Sequence, residues 1–211
     1  MDLVNIDLLR YAEQHTSPPP PLLARIDRDT HANVLMPRML SGHMQGRWLS
    51  MVSHLLRPSC VLEVGTYTGY SALCLAEGLA PGGKIITIDK NEELEARVRN
   101  YFEQAGQAGT IDFHIGDAKQ VIPSLSETFD LVFIDADKES NALYYDLVFD
   151  KVRPGGFILI DNVLWSGKVL ASQPDKDTKL ILAFNQKVHN DVRVEHLLLP
   201  LRDGIMMVRK L

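Results

Sequence analysis

The chain is short of the residues that mark the specialised protein classes. It has two cysteines, Cys60 and Cys74, in 211 residues. Neither stands in a C-x-x-C pair or a Cys/His metal spacing. That argues against a disulfide-stapled scaffold and a zinc module, and leaves two reduced, packed thiols of a cytoplasmic protein as the expectation. Basic residues form no run, and the formal net charge is −5. A long phosphate-tracking surface is therefore not expected, and nucleic acid is an unfavoured partner. No apolar stretch is long enough to span a bilayer. The N-terminus, MDLVNIDLLRYAEQH, carries acids where a secretion signal would carry a basic region. Neither G-x-G-x-x-G nor G-x-x-x-x-G-K-[ST] occurs, so there is no glycine cradle for a pyrophosphate. What remains is 45% hydrophobic and 23% charged residues, the balance of an ordinary globular protein. The length suits one α/β domain with an appended helical piece.

Periodicity gives the organisation. Leu3, Ile6, Leu9 and Tyr11 describe a short amphipathic helix, stopped by TSPPPP at 16–21. A second helix is expected over 22–33. A third, Gly42–Leu56, places Met44, Trp48, Met51, Val52 and Leu55 on one stripe. From there the chain alternates. Apolar runs at 60–64, 84–88, 110–115, 129–134 and 156–160 are separated by helical patterns at 70–79, 91–105, 118–125 and 141–152. Near-continuous apolar strands alternating with helices predict a parallel sheet covered on both faces. The tail differs: a helix near 177–190 leads to two strands joined by a turn with Asp203-Gly204, an antiparallel hairpin at the sheet edge. The expected fold class is therefore α/β: a Rossmann-like, seven-stranded, mostly parallel sheet with an antiparallel C-terminal hairpin and helices on both faces. Residues 1–211 read as one domain, with 1–57 a helical extension.

In such sheets ligands bind beyond the carboxyl ends of the strands, where strand order reverses. The polar residues of this chain collect at those ends. LEVGTYTGYS (62–71) is a strand, a glycine-bearing turn and a helix start. Gly65 and Gly69 would let backbone pass close to a ligand, although a structural turn explains the pair as well. Glu63 in that turn would repel a pyrophosphate. Asp89, ending the second strand, can accept both hydroxyls of a ribose. Asp117, in GDA after the third strand, can meet an adenine edge or serve as a helix N-cap before Ala118; taken alone, the cap is the better reading. Acids after three strands and no phosphate site fit S-adenosylmethionine (SAM), a cation with a ribose and an adenine.

The next two strands end in IDADKE and IDN. Asp135, Asp161 and Asn162 are oxygen donors with no His or Cys close in sequence. Such a set suits Mg²⁺, with Mn²⁺ or Ca²⁺ as alternatives, rather than zinc or copper. Solvated loop acids and an Asx-turn at Asn162 are the bland reading of each residue alone. A divalent ion there would lower the pKa of a phenolic hydroxyl, and Lys138 would accept its proton. The bland reading of Lys138 is a surface pair with Glu139.

The motifs LEVGTYTGYS, GDA, FDLVFIDADKE, RPGGFILIDNVLWSGKV and LPLRDGIMMVRK together resemble the cation-dependent class I O-methyltransferases. These are the caffeoyl-CoA and catechol enzymes and their small bacterial relatives. The likeness spans nearly the whole chain, from MLSGHMQGRWLSM to FNQKVHNDVRVEHLLLP. It implies a SAM-binding, usually dimeric enzyme acting on vicinal hydroxyls of a small phenolic acceptor. By that likeness Asp135, Asp161 and Asn162 are metal ligands and Lys138 is the base. Met39 and Ser41 approach the methionine end of SAM, and Glu63, Gly65 and Ser71 line the turn beneath it. Asp89 holds the ribose, Ala118 the adenine, and Asp137 the ammonium. Trp165 walls the acceptor pocket, with a core or interface aromatic as its other reading. Two positions depart from the pattern. Asn141 replaces the tyrosine of plant members, and Arg202 replaces a glycine common before Asp-Gly; the resemblance turns both toward the acceptor. The N-terminal part is the region that shapes acceptor choice in the family. Some bacterial relatives methylate a hydroxylated uridine in tRNA, which is the alternative acceptor. An NAD-dependent oxidoreductase lacks its glycine motif here, and a SAM sensor would not need the Asp-x-Asp-Lys and Asp-Asn set.

Overall fold

Seven apolar segments pair into one sheet, and their order decides where a ligand can lie. The computed structural model describes residues 6–211, so Leu3 of the first expected helix lies outside the described residues. The strands are β1 (Cys60–Val64), β2 (Lys84–Asp89), β3 (Ile111–Ile115), β4 (Phe129–Ile134), β5 (Val152–Asp161), β6 (Val194–Leu199) and β7 (Ile205–Lys210). They lie in the order β3-β2-β1-β4-β5-β7-β6. The first five run parallel, and β7 is antiparallel to both β5 and β6. The chain runs outward from β1 to β3, then returns to lay β4 on the other side of β1. The crevice at that reversal opens at the carboxyl ends of β1 and β4.

Helices cover both faces. They are α1 (Ile6–Gln14), α2 (Pro21–Asn33), α3 (Gly42–Leu56), α4 (Tyr70–Ala76), α5 (Glu95–Gln104), α6 (Ala118–Ser124), α7 (Asn141–Phe149) and α8 (Lys176–His189). Alternate strand residues feed two cores. Val61, Ile85, Leu131 and Phe133 pack with α2 to α5. Leu62, Ile86, Val132 and Ile158 pack with α6 to α8. Burial on both faces explains why these strands are apolar throughout instead of alternating. α2 starts at Pro21, where the missing N–H of proline is no loss.

The structure corrects several expected boundaries. α4 stops at Ala76 rather than at residue 79, and Gly78 follows it against α3. A Cβ on Gly78 would lie 2.2 Å from the amide nitrogen of His54 and 2.3 Å from the carbonyl carbon of Ser53. The 91–105 segment divides into a 3₁₀ turn, Glu92–Leu94, and α5. α7 ends at Phe149 because Val152 already pairs with Phe129; the ladder then breaks and resumes at Phe157 opposite Leu131. Pro154, with no N–H to donate, sits in that interruption.

The expected stripe of α3 is also corrected. Its buried face is Gln45, Gly46, Leu49, Ser50, Val52 and Ser53, whereas Met51 is 63% and Leu55 84% exposed. Small and polar residues face inward because α3 and α4 approach closely: a Cβ on Gly46 would stand 2.5 Å from the Tyr70 ring. In α1, Leu9 is half-buried and Tyr11 is exposed, stacked on His15.

Replacing Gly78 by alanine forces α3 and α4 apart, since the new methyl meets backbone that has no rotamer to change. Urea unfolding should show a loss of roughly 2–3 kcal/mol, as for other overpacked contacts. An unchanged midpoint would mean the two helices do not hold this distance.

Candidate active site

Four strand ends supply the site, and one glycine brings them together. Gly65 follows β1 with φ +103°. A Cβ there would lie 2.0 Å from the carbonyl oxygen of Asp135, so only glycine lets the β1 turn rest on the β4 turn. The sequence pointed to ligand approach at Gly65; the close approach seen is between the two halves of the site. The Asp135 amide donates to Val64 O at 2.8 Å and the Gly65 amide to Ile88 O at 2.9 Å, which locks the three strand ends together. Gly69 serves packing rather than a ligand: it caps α4 at φ +78°, and a Cβ would stand 2.7 Å from the Phe102 ring.

Glu63, beneath this turn, is fully buried. The Thr87 hydroxyl donates to its Oε2 at 2.5 Å, and the Thr66 and Thr87 hydroxyls are 2.6 Å apart. Burial pushes the carboxyl up to about 8, with the Ser71 and Thr87 hydroxyls pulling only partly back. Its Oε1 makes no hydrogen bond within the protein. Ser71 is buried on the first turn of α4. Asp89 accepts the Tyr67 amide at 2.7 Å on Oδ2 and the Asn91 amide at 2.9 Å on Oδ1. A carboxylate has about four acceptor positions, so capacity remains for hydroxyl donors. Asp117 is the N-cap of α6, accepting from Lys119 N at 2.9 Å, as the residues alone favoured; Ala118 is buried behind it. Asp137 opens the 3₁₀ turn Lys138–Ser140. It accepts the Ser140 amide at 3.0 Å and the Tyr144 hydroxyl at 2.8 Å. Partial burial opposes its ionisation, but those two bonds together with the charges of Lys119 and Lys90 hold the carboxyl below its usual range. Ser41 is buried at the N-cap of α3, while Met39 is 56% exposed.

Asp135 and Asp161 end the adjacent strands β4 and β5. Asp161 is 4% exposed. Burial first, then the charge of Asp135, push its carboxyl up to about 6; the Lys138 charge and the hydrogen bonds from Gln45 and the Asn162 amide act the other way. Lys138 Nζ lies 3.1 Å from Asp135 Oδ1 and is 14% exposed. Glu139 pairs with Lys176 at 2.8 Å, so the simple Lys138–Glu139 surface pair is not what forms. Asn162 adopts φ +62°, and its Nδ2 donates to Asp203 Oδ2 at 3.4 Å. Among the described residues no group of three or more His, Cys, Asp or Glu side chains is placed to hold a metal ion. Asn162, the next residue after Asp161, carries a further side-chain oxygen at this strand end. The chemistry of the set fits a hard cation: two carboxylates in electrostatic contact, one of them dry, beside a neutral oxygen.

Trp165 (φ +47°) leaves its indole N–H buried without an acceptor. With Lys138, Glu139 and Asp177 it lines a cavity of about 200 Å³. Two residues expected to face the acceptor do not line this cavity. Asn141 is buried at the start of α7 and is not part of the lining. Arg202 does not reach into the cavity: its Nη1 donates to Leu40 O at 3.0 Å, to Ser41 O and to Gln45 Oε1 at 3.1 Å. Sequence reading missed Gln45, Thr87, Tyr144 and Asp203. Asp203 was legible only as a turn residue before Gly204, and Gln45, Thr87 and Tyr144 carried no signal for this site.

An open α/β sheet with carboxylates at the ends of β1, β2, β4 and β5, and no phosphate cradle, defines a Rossmann-like protein of the kind that binds a nucleoside cation. The profile of the O-methyltransferase family matches residues 13–211, and the chain belongs to that family. It is 35% identical over 187 residues to caffeoyl-CoA O-methyltransferase 5 of Nicotiana tabacum, covering 82% of this chain and 78% of that protein. It is 35% identical over 173 residues to the catechol O-methyltransferase domain-containing protein 1 of Mus musculus, covering 79% and 66%. The crystal structure of an SAH-bound methyltransferase from Podospora anserina superposes with a TM-score of 0.89 at 26% identity, covering 97% and 94%.

Glu63 makes the stability of the ligand-free protein depend on pH. Its folded pKa of about 8 lies above the ordinary 4.5, so the unfolded chain ionises first as pH rises. Stability from this group is complete below about 4.5 and is lost up to about 8. Glu63→Gln removes that component. Thermal melts from acid to mildly alkaline pH should fall less steeply for the variant. Parallel curves would mean that Glu63 is already ionised in the fold.

Proposed function

We propose that the chain is a divalent-cation-dependent O-methyltransferase that transfers the methyl group of SAM to one of two adjacent hydroxyls of a small catechol-like acceptor, caffeoyl-type compounds included. One observation carries this reading: Asp161 is buried against Asp135, with Asn162 next to it in the chain and Lys138 between the carboxylates and the cavity. The relatives named for caffeoyl-CoA and catechol support the acceptor class.

Asp89 takes the ribose hydroxyls, and Asp117 and Ala118 border the adenine. Glu63 and Ser71 lie under the methionine end, with Met39 and Ser41 above it. The carboxylates of Asp135 and Asp137 balance the ammonium. Asp135, Asp161 and Asn162 would hold Mg²⁺, or Mn²⁺ or Ca²⁺ in its place. SAM, when bound, would supply a methyl group to the acceptor oxygen and leave as neutral S-adenosylhomocysteine, and a bound ion would supply charge that lowers the pKa of a neighbouring hydroxyl. Lys138, in its neutral amine form, would receive the hydroxyl proton and release it to solvent through the cavity mouth. Trp165 shields one side of the cavity from water. Most of the rate gain on this reading is alignment of oxygen and methyl carbon. The exposed Met51 and Leu55 of α3 support a homodimer, and the absence of a long apolar helix among the described residues is compatible with a cytoplasmic enzyme.

Asp161→Ala should abolish methylation of a diphenol while SAM affinity, read by calorimetry, stays within a few fold. Full turnover in that variant contradicts the ion-binding role. Lys138→Ala should lower kcat by about 10²–10⁴, the usual weight of a general base. A kcat equal to that of the unmodified protein removes Lys138 from the mechanism.

A further inference from the structure

We infer that Gln45 and Arg202 are positioning residues for the ion centre, a role that rests on reading Asp135, Asp161 and Asn162 as its ligands. Gln45 is fully buried, and its Nε2 donates to Asp161 Oδ2 at 2.8 Å. Its Oε1 accepts from Arg202 Nη1 at 3.1 Å. A carboxamide has two ends of nearly the same shape, whereas a guanidinium has only donors. Arg202 therefore fixes which end of Gln45 is which: the oxygen faces the guanidinium and the NH₂ faces the carboxylate. Asp161 Oδ1 accepts the Asn162 amide at 2.8 Å. Both oxygens of this acid are thus oriented by donors, and each retains a lone pair.

Arg202 is itself held by the carbonyls of Leu40 and Ser41, just before α3. It has φ +50°, in the left-handed region where glycine is relaxed and a long side chain is not. The guanidinium contacts offset that strain. The next residue, Asp203, accepts from Asn162 Nδ2, which turns the Asn162 amide oxygen away from Asp203. The same turn accepts the Val163 amide on Gly204 O at 3.1 Å and the Leu164 amide on Asp203 O at 2.8 Å. Two successive residues of the β6–β7 turn thus orient the two donors at the end of β5, one directly and one through Gln45. Partners of this kind hold ligands in place, and their loss usually weakens metal binding by about 10–100-fold.

The test is Mn²⁺ binding, read from the free-ion signal in electron paramagnetic resonance, on the full chain with saturating S-adenosylhomocysteine. Gln45→Met keeps length and removes both hydrogen bonds. It should raise the Mn²⁺ Kd about tenfold, raise the KM for Mg²⁺, and leave kcat at saturating Mg²⁺ little changed. Arg202→Gly relaxes the backbone and leaves Gln45 present; it should raise the Kd in the same direction by less, and it decides the matter if Gln45→Met does not fold. Binding by the unmodified protein with an unchanged Kd in the folded variants overturns the positioning role. No Mn²⁺ bound by the unmodified protein overturns the ion reading itself, and this inference with it.

Discussion

Two carboxylates at the ends of neighbouring strands, one of them dry, are the constraint around which the site is organised. Asp161 is 4% exposed, and Asp135 is close enough to oppose its ionisation. Two like charges so placed require compensation, because burial removes the water that would otherwise screen them. The protein supplies part of it: the Lys138 ammonium on Asp135, and the Gln45 and Asn162 N–H groups on Asp161. None of these neutralises both acids. A hard divalent cation between them would, and the third oxygen donor it needs lies one residue after Asp161. On the proposed reading, the charge arrangement that costs stability in the fold is the one that would attract an ion.

The sheet topology makes this arrangement geometrically available. Strand order reverses between β1 and β4, so the turns after those strands diverge in sequence and open a crevice. Gly65 then closes the base of that crevice by letting β1 backbone touch the Asp135 carbonyl. Glu63 and Asp89 on one side, and Asp135 and Asp161 on the other, end at the same edge of the sheet. On the proposed reading, a ligand lying across this edge would meet the acids of the first side at its nucleoside end and those of the second side at its reacting end.

The periphery is tied to this edge rather than merely laid over it. Arg202 joins the β6–β7 turn to the segment leading into α3, and Gln45 carries that link to Asp161. Asp203 adds the link to Asn162 and to the Ser166 amide, beside Trp165. The N-terminal helices and the C-terminal hairpin, remote in sequence, therefore meet at one carboxylate. A change in either has a path to the chemistry that does not pass through the cavity lining.

The sheet, its alternating helices and the hairpin were all legible as periodicity, because strands buried on both faces are apolar throughout and the connecting helices are not. The acids and amide at the strand ends were legible as well, since a charge at the tip of an apolar run has few structural reasons to be there. Their partners were not. Gln45 lies 116 positions from Asp161, and no spacing rule connects a helix residue to a strand end that far away. Arg202 looked like a residue facing an acceptor because its turn was readable and its direction was not. The α3 stripe was misassigned for the same reason: hydrophobicity names the apolar face, but Gly46 and Gly78 decide which face another helix can reach. The chain's own order of residues determined its strands, its fold class and the acids and amide at the strand ends. Which donors share a hydrogen bond, which acid is dry and which face is covered were decided only when distant segments packed, because burial and proximity are properties of the folded whole.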